Sequence, residues 1–246
     1  MTFHCLFEQS GTFKNVFKEF GHKAFDYDIL DDYGQTDFKI DLFKEIEREY
    51  KNLVVFPTLP SPKRYSTIFT KMKPGADFIM AFFPCTHFCD FNSLTYRRYV
   101  GGGIRVDLDE RCIARLIDRN KERAKYFEIY MKFCFICTAL KIPTIIENPA
   151  SKPANYLELF SPIDVAWHEK DRSDFGDRYK KPTNFFAINF EMFCNKRYDL
   201  KNILKQKNEN GIDRQKLRSE ITSEYARNFC KRFLAATMEK QKECVL

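Results

Sequence analysis

The chain has 246 residues, 44% of them hydrophobic, which is enough for one large domain with its own core, and it carries a formal charge of +7. No apolar run approaches the length of a membrane span, and the opening MTFHCLFEQSG lacks the basic, apolar, small-residue order of a signal peptide. Nine irregularly spaced cysteines, an odd count in a chain this long, exclude a small disulfide scaffold and imply reduced thiols in a cytoplasm.

In chain order, Phe3 to Phe7 reads as a short strand, followed by the turn residues Gln9, Ser10 and Gly11. Phe13, Val16, Phe17 and Phe20 recur at helical spacing, and Gly21 stands where a helix end favours a left-handed residue. Ala24 to Ile29 is a second strand ending in acids, and Leu42 to Tyr50 a charged surface helix. Residues 57–75 hold four prolines and read as a connecting excursion. FIMAFF (Phe78 to Phe83) is apolar throughout, as a strand covered on both faces would be. A long helix is expected from Glu110 to Lys141, broken before Pro143. Thr144 to Ile146 then forms a buried strand that delivers Glu147 to its end. Thr183 to Phe190 is another strand, and Ala226, Phe229, Cys230, Phe233 and Leu234 mark one face of a final amphipathic helix.

Alternating strands and helices predict an α/β fold with a mostly parallel sheet and helices on both faces. Ligands of such sheets bind beyond the carboxyl ends of the strands. The polar punctuation falls there: Gln9–Ser10–Gly11, Asp28, Cys85 and Glu147. The Cys134–Cys137 pair lies in the apolar stretch YMKFCFICTAL with no second pair, so packing rather than metal is expected. The basic residues are uneven. Arg97, Arg98, Arg105, Arg111, Arg115, Arg119 and Arg123 crowd one region, and Lys and Arg crowd the tail after Cys194, a distribution that suits a phosphate-bearing partner as well as a solvated surface.

LFEQSGTFKNVFKEFGHKAFDYDI, DFIMAFFPCTHF, IIENP and YKKPTNFFAINF, in that order over residues 3–190, resemble motifs of the DNA cytosine-5 methyltransferases, especially small phage- and prophage-type members. The resemblance implies a Rossmann-like S-adenosylmethionine-dependent methyltransferase fold. Residues 1–195 would form the core, and residues 196–246 a short basic linker and a C-terminal helix packing back on it. It implies that Cys85 is the nucleophile adding to position 6 of cytosine and that Glu147 contacts the ring nitrogen and amino group as a general acid. For the cofactor S-adenosylmethionine it implies that Phe7, Ser10, Gly11, Thr12 and Pro84 line the site, that Asp28 takes the ribose hydroxyls and that Asp41 reaches the adenine, with helix N-terminal amides holding the donor's carboxylate. The basic segment NSLTYRRYVGGGIRVD would be a mobile loop closing over a flipped nucleotide, with Arg97, Arg98 and Arg105 on phosphate. The partner implied is DNA.

The chain departs from that pattern in three places. Gln9 stands where the family has its first glycine, no Gln-x-Arg-x-Arg element is present, and the stretch from Cys194 to Arg214 is short for a target-recognition domain. Two alternatives therefore stay open: a catalytically inactive relative that binds nucleic acid or a protein, and the same chemistry on RNA or a free pyrimidine nucleotide.

Overall fold

A computed structural model describes residues 1–54, 64–88, 99–100, 103–104, 110–150, 156–192 and 220–234, with side chains omitted from 99 to 112. Its elements are β1 (Thr2–Leu6), α1 (Thr12–Glu19), β2 (Lys23–Asp28), β3 (Phe38–Lys39), α2 (Leu42–Val54), β4 (Asp77–Ala81), β5 (Tyr99–Val100), β6 (Gly103–Ile104), α3 (Glu110–Ala139), β7 (Thr144–Pro149), α4 (Tyr156–Phe160), β8 (Val165–Glu169), β9 (Thr183–Ile188) and α5 (Ser223–Phe229). A π-helical turn, Cys230–Leu234, continues α5. Among the described residues no helix is long and apolar enough to cross a membrane.

Seven strands form one sheet in the order β3-β2-β1-β4-β7-β9-β8. β1 pairs parallel with β2 and β4, and β4 pairs parallel with β7. Every residue of β4 and β7 is buried, because helices cover both faces there. One face packs on α2 and α3 through Leu6, Ile79, Ala81, Ile146, Ile46, Tyr130 and Phe133. The other packs on α1 and α5 through Phe3, Cys5, Phe78, Met80, Phe13, Phe17 and Phe229. The alternation of Phe3 and Cys5 against His4 and Leu6 along β1 is the period of two that a strand imposes. Phenylalanine carries much of this packing, as in the stacked Phe3–Phe17 pair with ring centroids 4.0 Å apart.

The mostly parallel α/β sheet matches the expectation, with three corrections. β9 runs antiparallel between β7 and β8, a direction no residue pattern in Thr183–Ile188 announces. The charged helix α2 is no mere surface element. Its buried Glu45, Glu49 and Asn52 grip the excursion that follows, accepting from Ile68 N (2.9 Å), Thr67 Oγ1 (2.6 Å) and Tyr65 N (2.8 Å) respectively. The glycine-rich segment expected as a mobile loop contains a two-stranded antiparallel ladder, Tyr99–Val100 against Gly103–Ile104. Nothing in the sequence announced β3, α4 or β8, each short, with β3 and β8 the two edge strands of the sheet.

Candidate functional site

The strand register sets four chain segments level. Leu6 pairs with Tyr27 on one side and Ala81 on the other, and Ala81 pairs with Ile146. One residue further on, Phe7, Asp28, Phe82 and Glu147 therefore share the carboxyl edge of the sheet, with Pro84 and Cys85 just past it. This is the edge where open α/β sheets bind ligands.

At the end of β1 the chain turns sharply. Phe7 has φ +60°, uncommon for a residue with a side chain, and its half-buried ring packs edge-on against Phe43 and Phe83. Gly11, with φ +67°, starts α1, and a Cβ there would stand 3.2 Å from Gln35 Cβ, so glycine is needed both for conformation and for space. Two of the α1 amides expected to be open for a ligand's carboxylate are taken by the chain itself. Glu8, buried beneath the turn, accepts from Phe13 N at 2.7 Å and from Lys14 N at 3.3 Å. A carboxylate at a helix N-terminus is favoured by the amides and the helix dipole, and here it is intramolecular. Burial nonetheless pushes the Glu8 carboxyl up to about 7. Ser10 Oγ and Thr12 Oγ1 lie 2.9 Å apart at the rim of the turn. Gln9 Oε1 accepts from Asp32 N (3.3 Å), which ties the turn to the segment after β2. Lys14 does the same from beneath, bonding Gln35 O and pairing with Asp26 (2.9 Å) and Asp37 (3.3 Å).

Asp28 is half-buried at the end of β2 and accepts from Leu30 N at 2.8 Å. Burial raises its pKa, opposed by the backbone amides of Leu30 and Ile29. Beside it Ile29 and Leu30 are 55% and 49% exposed, an apolar surface next to a carboxylate that the sequence reading did not single out. Asp41 sits at the start of α2, accepts from Lys44 N (3.2 Å) and pairs with Lys44 Nζ (3.1 Å), so its carboxylate caps a helix.

Past β4, Pro84 and Cys85 are half-buried, and Cys85 O accepts from Phe88 N (2.9 Å) to close a tight turn. Cys5, Cys134, Cys137 and Cys230 are all buried, which leaves Cys85 as the one cysteine with solvent access among those whose side chains are described. Burial drives the other thiols up, Cys137 to about 12, so none of them forms a thiolate readily at neutral pH. The Cys134–Cys137 pair is core packing, as its apolar context implied. On the neighbouring strand Asn148 Nδ2 donates to Phe83 O (3.3 Å), fixing the Pro84–Cys85 segment against the Glu147–Asn148 motif. Asn148 Oδ1 is buried with no hydrogen-bond partner.

Glu147 is held by a residue that the sequence analysis passed over. Arg172 Nη1 donates to Glu147 Oε1 at 3.1 Å, and Lys181 Nζ stands 4.0 Å from the same oxygen. Arg172 is 1% exposed, also pairs with Asp177, and lies 5.0 Å from the centre of the Tyr225 ring on α5. Burial opposes its charge, but Glu147 and Asp177 more than offset that and keep it cationic. No Gln-x-Arg-x-Arg signature flags this arginine. It works through partners 25 and 5 residues away, a relation that only the fold reveals.

Arg97, Arg98 and Arg105 lie outside the described residues. Among the described residues no cluster of His, Cys, Asp and Glu could hold a metal ion. His4 packs in the sheet between Tyr27 Oη (3.0 Å) and Asp77 (3.3 Å), consistent with a structural role. No protein-family model matches the chain, and no curated protein shows significant similarity to it.

Proposed function

We propose that this protein is an S-adenosylmethionine-dependent methyltransferase that acts on position 5 of cytosine in DNA. The observation that carries the reading is the pairing of two motifs on adjacent strand ends: Pro84–Cys85, with the accessible thiol, beside Glu147–Asn148, with a carboxylate anchored by Arg172.

The residues divide the work as follows. Cys85 Sγ, as thiolate, forms a bond to position 6 of the ring and makes position 5 nucleophilic. Both cations that meet Glu147 among the described residues do so at Oε1, so Oε2 is the oxygen that would face the ring nitrogen and amino group of the base. Arg172 positions that carboxylate. S-adenosylmethionine supplies the methyl group. Loss of the proton from position 5 to water then reforms the double bond and releases the Cys85 thiolate.

The residues present fit the cofactor better at one end than the other. Asp28 offers an acceptor for ribose hydroxyls, and the exposed Ile29 and Leu30 offer apolar surface for a purine. At the turn, Ser10 Oγ and Thr12 Oγ1 are the groups left for the amino-acid end, since Glu8 engages the amides of Phe13 and Lys14. That same observation favours a second reading, in which the chain keeps the fold and binds nucleic acid or a protein without methylating. Transfer of labelled methyl from S-adenosylmethionine to DNA, RNA and cytidine nucleotides, with analysis of the product base, separates the two. Label recovered as 5-methylcytosine is expected. Absence of transfer to every acceptor, together with no binding of S-adenosylhomocysteine at millimolar concentration, would leave the non-catalytic reading.

A further inference from the structure

The helix α3 is longer than the sheet it covers. Its 30 residues span about 45 Å at 1.5 Å per residue, against about 20 Å for the six-residue β7. It leads directly into the start of β7, so its last turns lie at the amino edge of the parallel strands and its first turns pass beyond the carboxyl edge. From Ile129 onward one face is buried; from Ile113 to Lys125 nearly every residue is exposed.

The side chains facing the sheet change character along the way. Residues 115, 119, 123, 126, 130, 133 and 137 follow one another at steps of four and three, which places them on a single stripe. Tyr130, Phe133 and Cys137 on that stripe are core, Tyr126 is half-buried, and Arg115, Arg119 and Arg123 continue it past the edge. The stripe passes Cys85 at close range. The Tyr126 ring lies 4.3 Å from His87, two residues after the thiol. Arg123 stacks over Tyr156 at 4.6 Å, and Tyr156 N donates to Phe88 O. Burial lowers the His87 pKa; Glu122 opposes that, and Arg119 and Arg123 reinforce it, so all three charges act within reach of this residue. On another side of the helix Lys121 pairs with Asp118 (3.6 Å).

We infer that the projecting half of α3 is a nucleic-acid-binding ridge, with Arg115, Arg119 and Arg123 contacting successive backbone phosphates of a strand whose target base is delivered to Cys85. The inference rests on the methyl-transfer reading for its acceptor and adds the face by which that acceptor is held. Arginines four residues apart stand about 6 Å apart along the helix and give bidentate, charge-assisted contacts to phosphate. Half-buried Tyr126 and Tyr156 at the foot of the ridge suit bases rather than the side chains of an acidic protein.

The test is the salt dependence of binding to a short fluorescein-labelled DNA duplex and to its single strand. Each lost phosphate contact lowers the slope of log K against log salt by about one. Arg115→Ala/Arg119→Ala should flatten the slope by about two, and adding Arg123→Ala should flatten it further. Lys121→Ala/Lys125→Ala removes the same charge from another side of the same helix and should change the slope by less than half as much. Equal losses in the two double variants, or no loss in either, would overturn the ridge. Displacement of DNA by polyglutamate as effective as by unlabelled DNA would overturn it too. Unchanged melting temperatures verify that the arginines were removed without unfolding. Cys85→Ser separates this inference from the chemistry: it should bind with the wild-type slope even if methyl transfer is never observed in any variant.

Discussion

At the ends of β1 and β2 the polar groups are bonded to one another, whereas past β4 and along β7 buried groups anchor a segment that carries the half-buried Cys85. In the first region Glu8 fills the N-terminus of α1, Gln9 ties the turn to Asp32, and Lys14 is surrounded by Asp26, Asp37 and Gln35 O. In the second, Arg172 and Lys181 hold one oxygen of Glu147, Asn148 holds the Phe83 carbonyl, and Cys85 remains accessible. The half proposed for the acceptor base is preorganised by buried charge pairs, and the half proposed for the methyl donor is saturated by the chain's own groups.

The largest expected effect lies in the second region. Arg172→Ala leaves Glu147 and Asp177 buried without their cation, and removing one member of a buried pair costs about 3–5 kcal/mol. Denaturant unfolding of Arg172→Ala should show that loss, and Arg172→Lys, which keeps the charge but not the fork geometry, a smaller one. If Arg172→Ala unfolds like the wild type, Arg172 does not organise this edge.

The first region should announce itself through pH. The native state holds the Glu8 proton more tightly than the unfolded chain does, with a pKa of about 7 against 4.5. Its ionisation therefore costs nothing below the lower value and costs the native state progressively more as pH rises between them. Between about pH 5 and about pH 8 the wild type should lose roughly 3 kcal/mol relative to Glu8→Gln. Parallel stability curves for the two proteins would show that Glu8 is not the buried acid described.

Much of this architecture is legible in the residues, and what is not has a physical reason. The helical spacing of Phe13, Val16 and Phe17, the continuous apolar run of β4, and Pro143 ending α3 report local preferences, so they read directly. Cys85 follows the apolar run of β4 as that pattern implies, but Glu147 lies inside β7, which continues past the expected end at Ile146 to Pro149 because β9 pairs with it. Strand direction is a tertiary property, so the reversal of β9 leaves no trace in its sequence. β8 alternates half-buried and exposed residues and buries only Glu169, over five positions at the margin of the sheet, too short to stand out. Arg172 follows an acidic, basic stretch that looks like surface, and only contact with Glu147 and Tyr225 explains its burial. Glu8 reads in the sequence as an ordinary polar residue before a turn, and only its contact with the Phe13 and Lys14 amides gives it a role.

A smaller effect sharpens the comparison at Gln9. Gln9→Gly removes the tie to Asp32 N and frees the turn, at a cost of about 1 kcal/mol. Calorimetry with S-adenosylhomocysteine should show binding roughly fivefold tighter than the wild type, the equivalent of that one bond. Unchanged affinity would mean that Gln9 is not what closes the donor turn.

The central claim, that Cys85 attacks a cytosine held by Glu147, is tested most directly by trapping the adduct. A cytosine with fluorine at position 5 cannot lose a proton there, so the bond from Cys85 to position 6 should persist after methyl transfer. DNA containing 5-fluorocytosine should therefore form a denaturation-resistant complex with the protein, in full yield only with S-adenosylmethionine. Cys85→Ser should abolish the complex, because a hydroxyl is a far weaker nucleophile than a thiolate at neutral pH, and Glu147→Gln should slow its formation. A complex that survives in Cys85→Ser, or none with any DNA or RNA offered, would contradict the account.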